Sequence, residues 1–448
     1  MAQDLEQLSQ RALDAARKAG ALEADVLCIE GTSLNMDIRA GALEQAERAE
    51  GIDIGLRVLM GQKQACVSVS NASDRALTEM AERAVAMAKE APDDENVGLA
   101  EATQLSERRN ADGLDMHDPA PEPTAQDLED WARTAEAAAL SVEGITQVES
   151  ASAGFSGRRV HLAATNGFSG GYARTDTGLF CVAITGTGTE MERDYFGESR
   201  IYAADLPDPS DVGRIAAERT LARAGARKPP TGMYPVLFDE RIAASLPGHL
   251  LGAVNGSAIA RGASWARDLL GEQVLPRGIS LIEDPLRPRT GGSRPFDGEG
   301  LATRKRAIID DGILTGWVLD LATGRKLGLE STANAGRAIS SPPSPLLSNV
   351  AMTQGTASRD DLIAQMGTGL LVTSMIGSTI NPNTGDYSRG ASGFWVENGE
   401  IAYPVNECTM ASNLKEMLLG LTPANDARPH LSRVVPSLLV ESMTIAGD

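Results

Sequence analysis

Residues 367–419 read GTGLLVTSMIGSTINPNTGDYSRGASGFWVENGEIAYPVNECTMASNLKEMLL. Residues 370–375 are an apolar, partly β-branched run, which predicts a buried strand. Residues 377–390 are rich in Gly, Asn, Pro and Asp and predict a loop too long for a tight hairpin. Residues 391–397 and 400–405 predict two strands around Asn398-Gly399, the strongest short hairpin signal. Leu414, Met417, Leu418 and Leu421 then mark one face of a helix. A polar, glycine-laden loop held between buried strands is a place where a scaffold meets a ligand. The stretch nevertheless contains neither a nucleophile–base pair nor a cluster of metal ligands.

Working outward, the stretch belongs to a unit that begins after the break GARKPPTG at 225–232. MYPVLFDE predicts a fully buried strand, and Asp239 caps a helix to about residue 254, followed by a second helical stretch at 265–270. Strand and turn dominate from 271 to 358, a short helix spans 360–366, and 436–445 is a last strand. Few helices among many strands predict a barrel-like or sandwich domain over 229–448.

The half before it, 1–228, alternates helices and strands. Leu5, Leu8, Ala12 and Ala16 form a helical stripe. Residues 25–30, 33–39 and 43–49 predict short strands, and Gly61-Gln62 marks a further turn. Ser73 is a good cap for a helix over 74–91. Residues 91–123 are acidic, Pro-bearing and aperiodic, and predict a linker or a long surface excursion. Thr124 with Asp127 forms a capping-box variant for the next helix. Strands follow from 145 to 202, with a turn at Asn166-Gly167, and a helix over 210–225 closes the half. The expected fold class is α+β: an N-terminal α+β domain with an antiparallel sheet and packed helices, then the strand-rich domain. Whether the two N-terminal passes share one sheet stays open at this level.

Composition narrows the function. The 448 residues carry 61 acidic against 41 basic side chains, a net charge of −20, with aromatics at 4%. That excludes a basic, base-stacking surface of the kind nucleic acid requires. No apolar run approaches a membrane span, and the charged amphipathic start has no signal-peptide core. The expectation is a cytoplasmic protein with no nucleic-acid or membrane partner. Cys28, Cys66, Cys181 and Cys408 lack CxxC spacing and read as buried small hydrophobes or free thiols, not a disulfide framework.

Candidate chemistry is sparse. Of the four histidines, none has a second His or a Cys at ligand spacing, and His249, on a buried-looking helix, reads as a satisfied core or interface side chain. The acidic groups Glu190, Glu192 and Asp194, and Glu283 and Asp284, read as solvated surface. The stretch at 291–320 is more distinctive: an Asp311-Gly312 hairpin preceded by Gly298 and Gly300 beside Asp297 and Glu299. It predicts a turn and hairpin, with the lining of a ligand cavity as the other reading. Cys408 has no base or cation near it in sequence and reads as inert.

PFDGEG at 295–300, TRKRAIIDDGIL at 303–314, GWVLD at 316–320, STANAGR at 331–337 and the long run from INPNTGDYSRG to NLKEML together resemble the TldD/PmbA family, in its PmbA (TldE) branch. The resemblance implies an N-terminal α+β domain, a β-rich C-terminal domain and a dimer enclosing a cavity. It also implies a TldD–TldE zinc metalloprotease acting on unfolded or flexible peptides. In the TldD partner of that family, HExxxH lies on the helix after the first strand of the C-terminal domain. Here that helix reads RIAASLPGHLLGAVNGSA. With His249 as first ligand, Leu250 and Val254 stand where the base and second ligand belong; with His249 as second ligand, Ala244 stands where the first belongs. The segment LTPANDARPHLSRVVPSLLVE offers no late Cys either. The resemblance therefore implies no catalytic residue and no metal ligand on this chain, with zinc on a TldD-like partner. His249, Gly377, Asn381, Asn383, Gly393 and Asn398 are the candidates for a peptide groove or chamber. The rival expectation is a homodimeric, chaperone-like peptide-binding module.

Overall fold

In the computed structural model, which describes residues 4–447, the N-terminal half is built on strands far longer than the sequence pattern suggests. After helix α1 (Leu5–Lys18) come β1 (Glu23–Arg39), β2 (Ala42–Met60) and β3 (Lys63–Val69). Helices α2 (Asp74–Glu90) and α3 (Ala125–Leu140) follow, then β4 (Ile145–Ala164), β5 (Ser169–Thr185), β6 (Glu192–Arg200) and helix α4 (Pro209–Leu221). The two passes share one antiparallel sheet of order β3-β2-β1-β4-β5-β6. The expected short strands at 25–30 and 33–39 merge because Gly31, which lies between them, pairs in register with Gly51 on one side and Arg158 on the other. A glycine inside a strand weakens it but does not turn it when both flanking ladders continue.

Strand alternation sends one side of this sheet to the helices. Val26 and Cys28 of β1, with Ile54, Leu56 and Val58 of β2, pack under α1 and α2. Leu34, Met36 and Ile38, with Ala151, Ala153 and Phe155 of β4, pack under α3 and α4. Ser73 caps α2 and the Thr124–Asp127 box caps α3 as the sequence indicates.

The acidic segment at 91–123 is not a free linker. It crosses to the C-terminal half, where Ser106 N–H donates to the Gly300 carbonyl at 2.8 Å and Arg325 donates to the carbonyls of Asn96 and Leu99. Ala100, Leu114 and Met116 are buried along it. Isolated apolar residues at irregular spacing pin a strap in place without leaving a periodic signature.

The C-terminal half closes five strands into a barrel. These are β7 (Gly232–Phe238), β8 (Gly369–Ile380), β9 (Asp386–Glu397), β10 (Glu400–Asn413) and β11 (Leu438–Ala446). Helix α5 (Ser245–Ala253) lies between β7 and β8 in the chain. Pairing runs β10-β9-β8-β7-β11, and β11 returns to β10 through Thr409–Ala411, leaving no edge in the ring. Val236, Phe238, Leu370, Val372, Trp395 and Met410 form its core with Leu246 and Leu250 of α5. A smaller five-stranded sheet, including Leu281–Glu283 and Arg306–Asp310, flanks it.

Three local expectations change. The loop expected at 377–390 shrinks to 381–385, because β8 and β9 keep pairing through Ile380 and Tyr387 and bulges absorb the extra residues around Gly377. The helix expected from Asp239 to about 254 breaks into Glu240–Ala243 and Ser245–Ala253. Residues 265–270 form turns, and the helical turn lies earlier, at Gly256–Ala260.

Candidate functional site

The face of the N-terminal sheet not covered by helices meets the C-terminal half. Residues of opposite parity to the helix-facing set point there: Leu27 and Ile29 of β1, Val160 and Leu162 of β4, Tyr172 of β5. Phe296, from the C-terminal half, stacks edge-to-face on Phe168 at 4.9 Å and on Tyr172 at 5.8 Å. A cavity of about 340 Å3 opens between the halves. Leu27, Ile29, Val160, Leu162, Tyr172 and Phe296 line it, together with Arg158, Arg174, Arg294, Arg337, Asp297 and residues 291–293 and 298. It leads into a groove of about 760 Å3 over Gly31, Thr32, Ser33 and Ser156, with Glu50, Asp53 and Asp176 on its walls. The cavity-lining reading of the 291–320 stretch is thus the one its first residues realise.

Beneath the cavity lies a buried charge network. Asp25 of β1 is held by Arg57 of β2 and by Arg337 of the C-terminal half, the latter at 2.9 Å. Burial pushes the Asp25 carboxyl up, but the two guanidiniums outweigh it and hold the pKa below the ordinary value. Asp297 is buried, and its carboxylate accepts N–H bonds from Glu299, Leu301 and Ala335 at 2.9–3.0 Å. Burial still dominates and raises it to about 6. Glu299 is raised to about 8, by burial first and the Asp297 charge second. Gly300 makes this approach possible: it sits at φ +82°, and a Cβ there would lie 2.6 Å from the Phe168 ring.

The groove candidates named from sequence, His249, Gly377, Asn381, Asn383, Gly393 and Asn398, do not line this cavity, nor do they all come together elsewhere. His249 is half-buried on α5, with its ring edge-to-face to Tyr387 at 5.8 Å. It is not a satisfied core histidine: its Nε2 is buried without a hydrogen-bond partner among the described residues, as is Nε of nearby Arg389. Burial, then the Arg389 charge, push its pKa down, so the ring is neutral at pH 7. Gly377 is exposed at a bulge. Asn381 organises its own loop, accepting from Asn383 N–H at 3.0 Å, and Asn383 is exposed. Asn398 turns the β9–β10 hairpin at φ 53°, at the opposite end of β9 from Asn381, about 40 Å away along a twelve-residue strand. Gly393 is buried mid-strand, where a Cβ would lie 1.9 Å from the Leu371 carbonyl oxygen.

Two acidic groups expected at the surface are buried instead. Asp194 is bound by Arg241 at 3.1 Å, and Glu283 by Arg306, Asn334 and Ser348 at 2.8–3.1 Å. Each has a guanidinium to match it, which is what lets a carboxylate leave water. Cys408 donates to the Ala391 carbonyl, and burial pushes its thiol up to about 11, far from a reactive thiolate.

The ligand pattern expected of a metallopeptidase is not present on α5. Its only imidazole is His249, and Ala244, Leu250 and Val254 have no lone pairs to offer. Among the described residues no cluster of three or more His, Cys, Asp or Glu is placed to hold an ion. No described helix is long and apolar enough to cross a membrane. The arginines around the cavity escaped the sequence reading. The available signal was the period-two order of Arg158, Val160 and Leu162, which puts a charge on the same face as an apolar pair.

Comparison with known proteins agrees with this architecture. Residues 24–88, 118–224 and 231–447 match domain 1, the central domain and the C-terminal domain of the PmbA/TldA metallopeptidases. Metalloprotease PmbA of Escherichia coli O157:H7 is 35% identical over 95% of this chain and 92% of its own length. A Bacteroides thetaiotaomicron protein, described as a candidate modulator of DNA gyrase, superposes with a TM-score of 0.92 at 27% identity, covering 100% of both chains. TldE from Thermococcus kodakarensis shares the fold, with a TM-score of 0.84 at 21% identity over 99% of this chain and 100% of its own. The chain is a member of the PmbA/TldD metallopeptidase family, on its PmbA branch.

Proposed function

We propose that this chain is the zinc-free, TldE-type subunit of a cytoplasmic two-subunit peptidase that cleaves unfolded or flexible peptides. A TldD-type partner supplies the metal, its bound water and the general base, and this chain shapes the chamber and holds substrate. The observation that carries the reading is the helix α5: it occupies the place after β7 where a metallopeptidase subunit needs its ligands, and aliphatic side chains fill the required positions. A carboxylate base and imidazole ligands are chemically irreplaceable by leucine, valine or alanine. The open sheet face and its groove support the substrate-holding part, since an extended peptide fits a strand-lined trough.

The test is metal analysis joined to activity. The chain purified alone is expected to contain no stoichiometric zinc and to leave an unstructured peptide intact. Mixing it with a TldD-type chain is expected to give a complex with zinc on the partner and peptide cleavage. One equivalent of zinc together with peptidase activity in the lone chain would overturn the assignment. Cleavage by the partner alone, at the rate of the mixture, would remove this chain from the enzyme.

A further inference from the structure

The open face of the N-terminal sheet carries a pair that a sheet ordinarily avoids. Arg158 of β4 and Arg174 of β5 are direct cross-strand partners, and like charges set opposite each other destabilise a ladder. Neither forms an ion pair with a carboxylate among the described residues; Arg174 donates to the Gly291 carbonyl. Arg294, on the far wall, donates to the carbonyls of Ala335 and Leu346. Three guanidiniums without a carboxylate ion-pair partner thus line one cavity, which Asp297 also lines, in a chain of net charge −20. Burial, then the charge of Arg158, lower the pKa of Arg174 and outweigh the opposing charges of Tyr172 and Asp176.

Behind this pair the walls are apolar, formed by Leu27, Ile29, Val160, Tyr172 and Phe296. A guanidinium pair at the rim of an apolar pocket is complementary to a carboxylate attached next to an apolar side chain. Further out the charge reverses: Glu50, Asp53 and Asp176 flank the groove, where they suit the amides and basic side chains of a chain running away from its anionic end.

We propose that this cavity binds the C-terminal residue of a peptide, with its α-carboxylate between Arg158 and Arg174 and its side chain against Ile29, Val160 and Tyr172. The proposal rests on the peptide-handling reading above and adds a direction: the C-terminus enters the cavity and the preceding residues lie along the groove over Gly31 and Ser33.

The experiment is a binding titration with an unstructured decapeptide ending in leucine, labelled at its N-terminus and made as the free acid and as the C-terminal amide. Both are titrated against the full chain and against its complex with a TldD-type subunit. The free acid is expected to bind about ten-fold more tightly than the amide. Arg158→Ala and Arg174→Ala, made singly, are expected to bring the acid to the affinity of the amide while leaving the amide unchanged. Arg158→Ala should also raise Tm, because it relieves the repulsion, so lost acid binding in a more stable protein cannot be misfolding. Equal affinity for acid and amide overturns the carboxylate site and leaves the subunit reading standing. So does inorganic phosphate competing as well as the unlabelled acid, which would mark a general anion site. Absence of binding by either peptide, to chain or complex, overturns both readings.

Discussion

Glu299 sits at a junction of opposing demands. It is buried, its Oε2 accepts from the Leu321 N–H at 2.9 Å, and Asp297 lies close by. Both carboxyls have pKa values raised above their unfolded ones, so the stability they permit is fully present in acid and is lost as pH rises through about 6 and then about 8. The contribution of this pair to thermal stability should therefore fall from about pH 4 to about pH 8, while His249, whose pKa is lowered, contributes in the opposite sense. Glu299→Gln keeps an acceptor for Leu321 and cannot ionise; it should flatten that fall, with its Tm advantage greatest at the alkaline end. A difference between variant and parent that is constant across pH would remove Glu299 as the titrating group. At this scale the DGEG stretch was legible as unusual from its glycines. Its burial was not, because nothing local says that an acidic tetrapeptide lies under another domain.

The β8–β9 pair shows the same division at the level of an element. Strand identity, the Asn398-Gly399 turn and the cap residues could be read directly, since each depends on neighbours in the chain. The length of the pair could not. Ladder hydrogen bonds carried through a bulge keep residues 377–380 and 386–390 in strand, although their composition is that of a loop. Gly393 is where the pairing is tightest, with a Cβ built there 1.9 Å from the Leu371 oxygen and 3.0 Å from the Thr373 nitrogen. Gly393→Ala must push β8 away from β9. It should cost roughly 3 kcal/mol or more in urea unfolding, at the upper end of overpacking in a core. A loss below about 0.5 kcal/mol, the range of an ordinary surface substitution, would mean that the barrel yields at that point.

Across the whole molecule, Asp25 joins the halves. Its side chain is 5% exposed and bonds Arg57 within its own sheet and Arg337 across the domain boundary. Asp25→Ala leaves two buried guanidiniums facing each other, and removal of one partner from such a pair costs about 3–5 kcal/mol. Because one of those guanidiniums belongs to the other half, calorimetry should show the single transition of the parent broadening or splitting as the halves uncouple. An unchanged, single transition would place the docking energy elsewhere, in the apolar contacts around Phe168 and Phe296. The strap at 91–123, which read from sequence as a linker or a long surface excursion, adds to the same docking.

The sequence by itself determined the α+β class, the helix caps, the tight turns, the net negative charge and the aliphatic residues at Ala244, Leu250 and Val254. Each of these follows from local backbone preference, side-chain period or the plain chemistry of a residue type. Only the tertiary structure decided that both N-terminal passes share one sheet, that the barrel closes through β10 and β11, and that Arg158, Arg174, Arg294 and Arg337 converge on one cavity. Strand pairing and domain docking join residues more than a hundred positions apart, and a periodic pattern states which face a residue occupies without stating what that face will meet.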